Sequence, residues 1–78
     1  MSDLRTTLRG QGRRMTAQRA AVYAALCAAS GHPTAEELFF AVRGHLPGIS
    51  LATVYNTLDT LVDGGLAVKI PGDGAARY

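Results

Sequence analysis

A single cysteine, Cys27, stands in the 78 residues, so no intramolecular disulfide framework can staple the fold and nothing calls for an oxidising compartment. No apolar run approaches the roughly 18 to 20 residues of a membrane span. The N-terminus also lacks the apolar segment of a secretory signal, and a reducing cytoplasm with no membrane partner is the expected setting. Repeats, linkers and low-complexity tracts are absent. Enzyme chemistry lacks its parts: the two histidines and six acids form no spaced catalytic set, and no nucleophile has a recognisable partner. The chain is therefore expected not to be an enzyme.

What the chain has is apolar and small. Hydrophobic residues make up 47% of it, enough for a globular helical domain and too many for disorder. Its length allows one domain over residues 1–78, burying only about 60 to 65% of the surface the unfolded chain exposes. The net charge is +2 but unevenly spread, since Arg5, Arg9, Arg13, Arg14 and Arg19 place five of the eight basic residues in the first nineteen positions. Asp3 is the one acid there. A basic arm leading into a globular body is an electrostatic footprint of nucleic-acid binding. Charge alone equally describes a solvated helix face bearing arginines.

Four helices are predicted. Ser2 caps the first, in which Leu4 and Leu8 fall one turn apart before Gly10 and Gly12 close it. Thr16 caps the second, Ala17 to about Ala29, with Val22, Leu26 and Ala29 on one face and Tyr23 and Cys27 flanking it; Cys27 reads as a buried small apolar residue. Ser30-Gly31-His32-Pro33 ends that helix. Thr34-Ala35-Glu36-Glu37 is a capping box. It opens a third helix whose stripe of Leu38, Val42 and Leu46, with Phe39 beside it, runs to Pro47-Gly48 and leaves Phe40 partly exposed. His45 reads as a surface or loop residue.

Ser50 caps the fourth helix, which places Leu51, Val54, Leu58, Leu61 and Val62 on one side. Ala52, Thr53, Asn56, Thr57, Asp59, Thr60 and Asp63 take the other, with Tyr55 at the boundary. Gly64-Gly65 stops it. Leu66, Val68 and Ile70 then alternate with Ala67 and Lys69 as a strand, Pro71-Gly72-Asp73-Gly74 turns the chain, and Ala75 to Tyr78 return as a second strand.

The expected fold class is mostly α with a small β-hairpin: a winged helix-turn-helix of four helices followed by a two-stranded antiparallel wing. The fourth helix, residues 50–64, is the expected recognition helix. Its outer side chains are short enough to enter a major groove and carry donors and acceptors. Asn56 can pair bidentately with adenine, Ser50 and Thr53 can bond phosphates or bases, and Tyr55 can meet a thymine methyl or a phosphate. Asp59 and Asp63 lie in the half of the helix that moves away from a duplex entered by its N-terminal end. Lys69 and Arg77 on the wing are candidate phosphate contacts, or ordinary solvated strand residues. A winged helix used as a protein-interaction module is the alternative, favoured if Tyr55, Phe40 and neighbouring apolar groups form one exposed patch.

In order and in register, Arg14-Met15-Thr16-Ala17-Gln18-Arg19, His32-Pro33-Thr34-Ala35-Glu36-Glu37-Leu38, Ile49-Ser50-Leu51-Ala52-Thr53-Val54-Tyr55-Asn56-Thr57-Leu58, Gly65-Leu66 and Arg77-Tyr78 resemble the N-terminal DNA-binding domain of the ferric uptake regulator (Fur) family of bacterial metal- and peroxide-responsive repressors. The resemblance implies that Tyr55 and Asn56 occupy the base-reading positions, with Ser50 and Thr53 anchoring the helix. It implies that Arg14 reaches an adjacent minor groove while Arg13 and Arg19 contact phosphates. His32 matches a histidine that the family uses as one ligand of a regulatory metal site at a domain junction.

Two positions depart from the family pattern. Gln18 stands where members often carry proline. Asn56 stands where many iron regulators carry arginine, so their base preference does not carry over. The family's C-terminal dimerisation and metal-binding domain is expected to lie beyond this chain. The expected function is thus the sequence-specific DNA-binding domain of a Fur-like metal-responsive transcriptional repressor, set on an AT-rich palindromic operator. Double-stranded DNA is the expected partner, and the full-length protein is expected to be a homodimer through the absent domain. No cofactor should be firmly bound by this domain alone; a divalent metal (iron, manganese or zinc) is expected in the full-length protein.

Overall fold

The structure, a computed structural model, describes residues 16–78. The helix expected from Ser2 and the arginines Arg5, Arg9, Arg13 and Arg14 lie outside the described residues. Three helices follow, α1 (Ala17–Ala28), α2 (Ala35–Val42) and α3 (Leu51–Asp63), corresponding to the second, third and fourth of the sequence reading. Each begins at a hydroxyl residue in extended backbone. Thr16 Oγ1 accepts from the Arg19 amide at 3.0 Å, Thr34 Oγ1 from Glu37 at 3.1 Å and Ser50 Oγ from Thr53 at 3.1 Å. One otherwise unbonded amide is thereby satisfied at each helix start. At α2 the box is complete, because the Thr34 amide donates to Glu37 Oε1 at 2.8 Å. The chain leaves α1 and α3 through Gly31 and Gly65, whose φ of 93° and 75° suit a residue without Cβ.

α2 ends at Val42, one turn short of the Leu46 to which the apolar stripe runs. Gly44 is a poor helix former and Pro47 disfavours the helical conformation at Leu46. The chain tightens instead: the His45 and Leu46 amides both donate to the Val42 carbonyl at 3.0 Å, and Ile49 donates to Leu46 at 2.9 Å. Leu46 still packs against the core, so its burial is kept without the helix.

The three helices pack pairwise around Val22 of α1, Ala35, Leu38 and Val42 of α2, Ile49 of the turn, Val54, Leu58 and Leu61 of α3, and Tyr78. Two threonines correct the reading of α3. Thr57 and Thr60, expected on the polar face, are each only 1% exposed. A helix enclosed by two others buries an arc wider than its stripe of large apolar residues, and threonine fits the margins. Thr60 Oγ1 donates to the Asn56 carbonyl at 3.0 Å, satisfying its hydroxyl inside the helix. No hydrogen bond reaches the Thr57 hydroxyl among the described residues.

The expected two-stranded wing is reduced, within the described residues, to one residue pair. Ile70 and Arg77 exchange backbone hydrogen bonds at 2.7 and 3.0 Å, and Arg77 also bridges antiparallel to Thr34. The Tyr78 amide donates to the Pro33 carbonyl at 2.9 Å. The alternation from Leu66 to Ile70 has no apolar surface to cover its outer side, leaving Val68 71% exposed. Pro71, without an N–H, stands directly after the paired Ile70 and cannot donate to a longer ladder. The described molecule is thus helical with almost no strand.

Candidate nucleic-acid interface

Ser50, Ala52, Tyr55 and Asn56 are exposed on α3 and Thr53 is half-buried. Ser50 Oγ and Thr53 Oγ1 lie 3.0 Å apart, so the cap and the first turn share one hydroxyl pair at the surface. Tyr55 remains 41% exposed, leaving an aromatic ring available beside the Asn56 amide. Asp59 and Asp63 are exposed further along the same helix.

The start of α3 does not stand alone. A groove of about 360 Å³ lies between it and the start of α1, walled by Thr16, Gln18 and Arg19 on one side and Ala52, Thr53, Asn56 and Thr57 on the other. Neither α1 nor α3 has an acidic residue in its first turn. Helix N-termini carry partial positive charge from their unbonded amides, and here two of them face one groove with a half-buried arginine in its wall. This is a place where an anionic backbone is favoured electrostatically and short polar side chains are at hand. Sequence reasoning singled out Arg19, Thr53 and Asn56, and all three line the groove. It missed Thr16 and Gln18, because helical periodicity orders residues within one helix and is silent on which helix starts meet.

The remaining candidates lie elsewhere. Lys69 is exposed in the segment before Ile70. Arg77 is engaged: its Nη1 donates to the His32 carbonyl at 2.9 Å and stands 3.5 Å from Glu37 Oε1. That carboxylate is held below the ordinary range, first by the Thr34 amide, then by the Thr34 hydroxyl and the Arg77 charge. Arg13 and Arg14 lie outside the described residues. Phe40, 60% exposed, carries the Arg43 guanidinium over its ring at 4.3 Å, so part of its apolar face is covered by a cation.

His32 is exposed and lines a larger open groove of about 940 Å³ between α1 and α2, which also reaches His45, Glu37 and Arg77 and is otherwise walled largely by alanines. Among the described residues no group of three or more His, Cys, Asp or Glu side chains is placed to hold a metal ion. The donor set on hand does not complete a site, and His32 brings one imidazole to it. Cys27 corrects another expectation. It is exposed, and its proximity raises the pKa of the Tyr23 phenol. The large residues Val22 and Leu26 fill the inward arc of α1 and leave Cys27 at its outer edge. No described helix is long and apolar enough to cross a membrane.

Two helices joined by a tight turn, the second exposing a polar face beside the start of a third helix, define a helix-turn-helix body. A sequence model of the ferric uptake regulator family matches residues 10–78, and the chain belongs to that family. It is 40% identical to the peroxide-responsive repressor PerR of Staphylococcus saprophyticus over 79 aligned positions, covering all of this chain and 53% of the relative. To the peroxide operon regulator of Bacillus subtilis it is 38% identical, over 92% of this chain and 50% of that protein. Among solved structures, PerR from Streptococcus pyogenes superposes with a TM-score of 0.84 at 31% identity, over 94% of this chain and 51% of that one. The ferric uptake regulator of Vibrio cholerae superposes with a TM-score of 0.77 at 28% identity, over 96% and 58%. The chain spans about half the length of the relatives it matches.

Proposed function

We propose that this chain is the winged-helix DNA-binding domain of a metal- or peroxide-responsive transcriptional repressor, with α3 as its recognition helix. The observation that carries the reading is the groove where the acid-free starts of α1 and α3 meet beside Arg19. In this reading a DNA phosphate sits at that groove while the N-terminal half of α3 enters the major groove of an AT-rich site. Tyr55 and Asn56 read base edges, Ser50, Thr53 and Arg19 hold the backbone, and Lys69 approaches a flanking phosphate. Arg13 and Arg14 supply the basic arm, with Arg14 in the adjacent minor groove.

Repression would be by occupancy, with two copies on a pseudo-palindrome joined by a C-terminal domain such as the longer relatives have room for. His32 would give one ligand to a divalent metal whose other ligands lie outside this chain. The metal, when bound, would favour the DNA-competent arrangement of domains, a shift of population rather than a reaction.

Fluorescence-anisotropy titration of an AT-rich duplex tests the reading. Alone, the domain should bind weakly, because a second half-site is needed for avidity. Its log affinity should fall linearly with log salt, by about 0.9 per phosphate contacted. Binding that ignores salt, or none at low salt, would refute the DNA reading.

A further inference from the structure

Arg77 holds more of the molecule together than a solvated strand residue would. Its backbone pairs with Ile70 on one side and bridges to Thr34 on the other. Its guanidinium donates to the His32 carbonyl at 2.9 Å and meets Glu37 Oε1 at 3.5 Å. The same Glu37 oxygen accepts the Thr34 amide at 2.8 Å, so one carboxylate closes the N-terminus of α2 and receives the arginine. Next along the chain, Tyr78 is buried and its amide donates to the Pro33 carbonyl. The C-terminal segment is therefore attached to the loop of residues 32–34 through both the backbone and the side chain of consecutive residues.

We infer that Arg77 is a positioning residue, a bracket that fixes the segment from Lys69 to Tyr78 against the start of α2, and that it is not itself a phosphate contact. The chemistry supports that division. A guanidinium has a planar fork of donors and can serve a carbonyl and a carboxylate together. Arg77 and Glu37 are both more than half exposed, so their ion pair adds little to global stability. What the pair supplies is direction: it sets where the segment from Lys69 to Tyr78 stands relative to the start of α2. The inference rests on the DNA-binding reading for its functional consequence, and on the bracket geometry alone for its structural one.

Two variants of the 78-residue chain separate the roles. Glu37→Gln keeps an oxygen for the Thr34 amide and removes the charge facing Arg77; Arg77→Ala removes the bracket. Without DNA, the Ile70 and Tyr78 amides should exchange with solvent several-fold faster in both variants, while the α1 and α3 amides keep their protection and show that the fold persists. With DNA, both variants should bind roughly threefold to tenfold more weakly, the scale of one lost hydrogen bond, and the salt slope should not change.

A phosphate-contacting Arg77 predicts the reverse pattern. Arg77→Ala would then lower the salt slope by about one contact, and Glu37→Gln would tighten binding by removing a negative charge. Either result overturns the inference, as does unchanged exchange at Ile70 and Tyr78. If the parent chain binds no duplex at low salt, the DNA reading falls while the exchange measurement still decides the bracket.

Discussion

At the level of single residues, the proposed interface predicts that reading and holding fall to different side chains, on α3 and α1. Asn56 is exposed beside Tyr55, and Arg19 stands in the groove wall across from it. Asn56→Ala should cost affinity at one base position, about 1 to 3 kcal/mol, and leave the salt slope intact; binding measured across single-base operator variants reports it. Arg19→Ala should weaken every duplex alike and reduce the salt slope by about one. Equal effects from the two substitutions would place both on the backbone. Thr57 offers a test of stability. Its hydroxyl is buried with no hydrogen bond among the described residues, and a buried polar group left unpaired costs about 1 to 3 kcal/mol. Thr57→Val keeps the shape and should raise the unfolding free energy, as read by urea titration. Thr60→Val should lower it, because that hydroxyl is bonded to the Asn56 carbonyl. A destabilised Thr57→Val would show that its hydroxyl finds a partner in solution. Sequence alone could not sort these threonines, since Thr53, Thr57 and Thr60 share one polar side of a helical wheel and only the packing of α1 and α2 decides which are covered.

Helices were readable where local chemistry marks their ends. Thr16, Thr34 and Ser50 are hydroxyl caps with bonded amides in the structure, and the starts of α1, α2 and α3 fall where those residues predict. Ser50→Ala should therefore cost about 1 kcal/mol, visible as a lower midpoint of thermal unfolding, and should fray the first turn of α3. An unchanged midpoint would mean that packing at Ile49 and Val54 alone sets that helix start. The end of α2 was not readable, because a four-residue apolar spacing continues through Leu46 although Gly44 and Pro47 divert the backbone. The hairpin was overestimated for a related reason. Alternation from Leu66 to Ile70 reports a pattern of side chains, but a ladder also requires a partner strand and a surface to cover, and Val68 has neither. The candidate interface was half legible: α3 supplied its residues by periodicity, while the meeting of two helix starts is a tertiary fact with no local signature.

Across the whole molecule, acid and alkali should each loosen a different tie. Glu37 has its pKa lowered, chiefly by the Thr34 amide and further by the Thr34 hydroxyl and Arg77. Its contribution is present above the ordinary carboxylate range and lost as the pH falls through the depressed value. Tyr78 has its pKa raised, first by burial and then by the charges of Asp59 and Tyr55. Its contribution is present below its ordinary value near 10 and lost as the pH rises through the raised one. Unfolding free energy measured against pH should thus form a plateau with a shallow acidic shoulder, because Glu37 is exposed to screening solvent, and a steeper alkaline one. Glu37→Gln should flatten the acidic shoulder and Tyr78→Phe the alkaline one; shoulders that survive both substitutions would assign them to other groups. Cys27 has a consequence for such measurements. It is the one thiol in the chain and is exposed near the end of α1. It lies nine positions along the helix from Gln18, roughly 13 to 14 Å along the axis. A maleimide dye would attach there at a single point and, if the proposed interface is right, sit near enough to sense a duplex at the other end of α1 and far enough to stay out of its way.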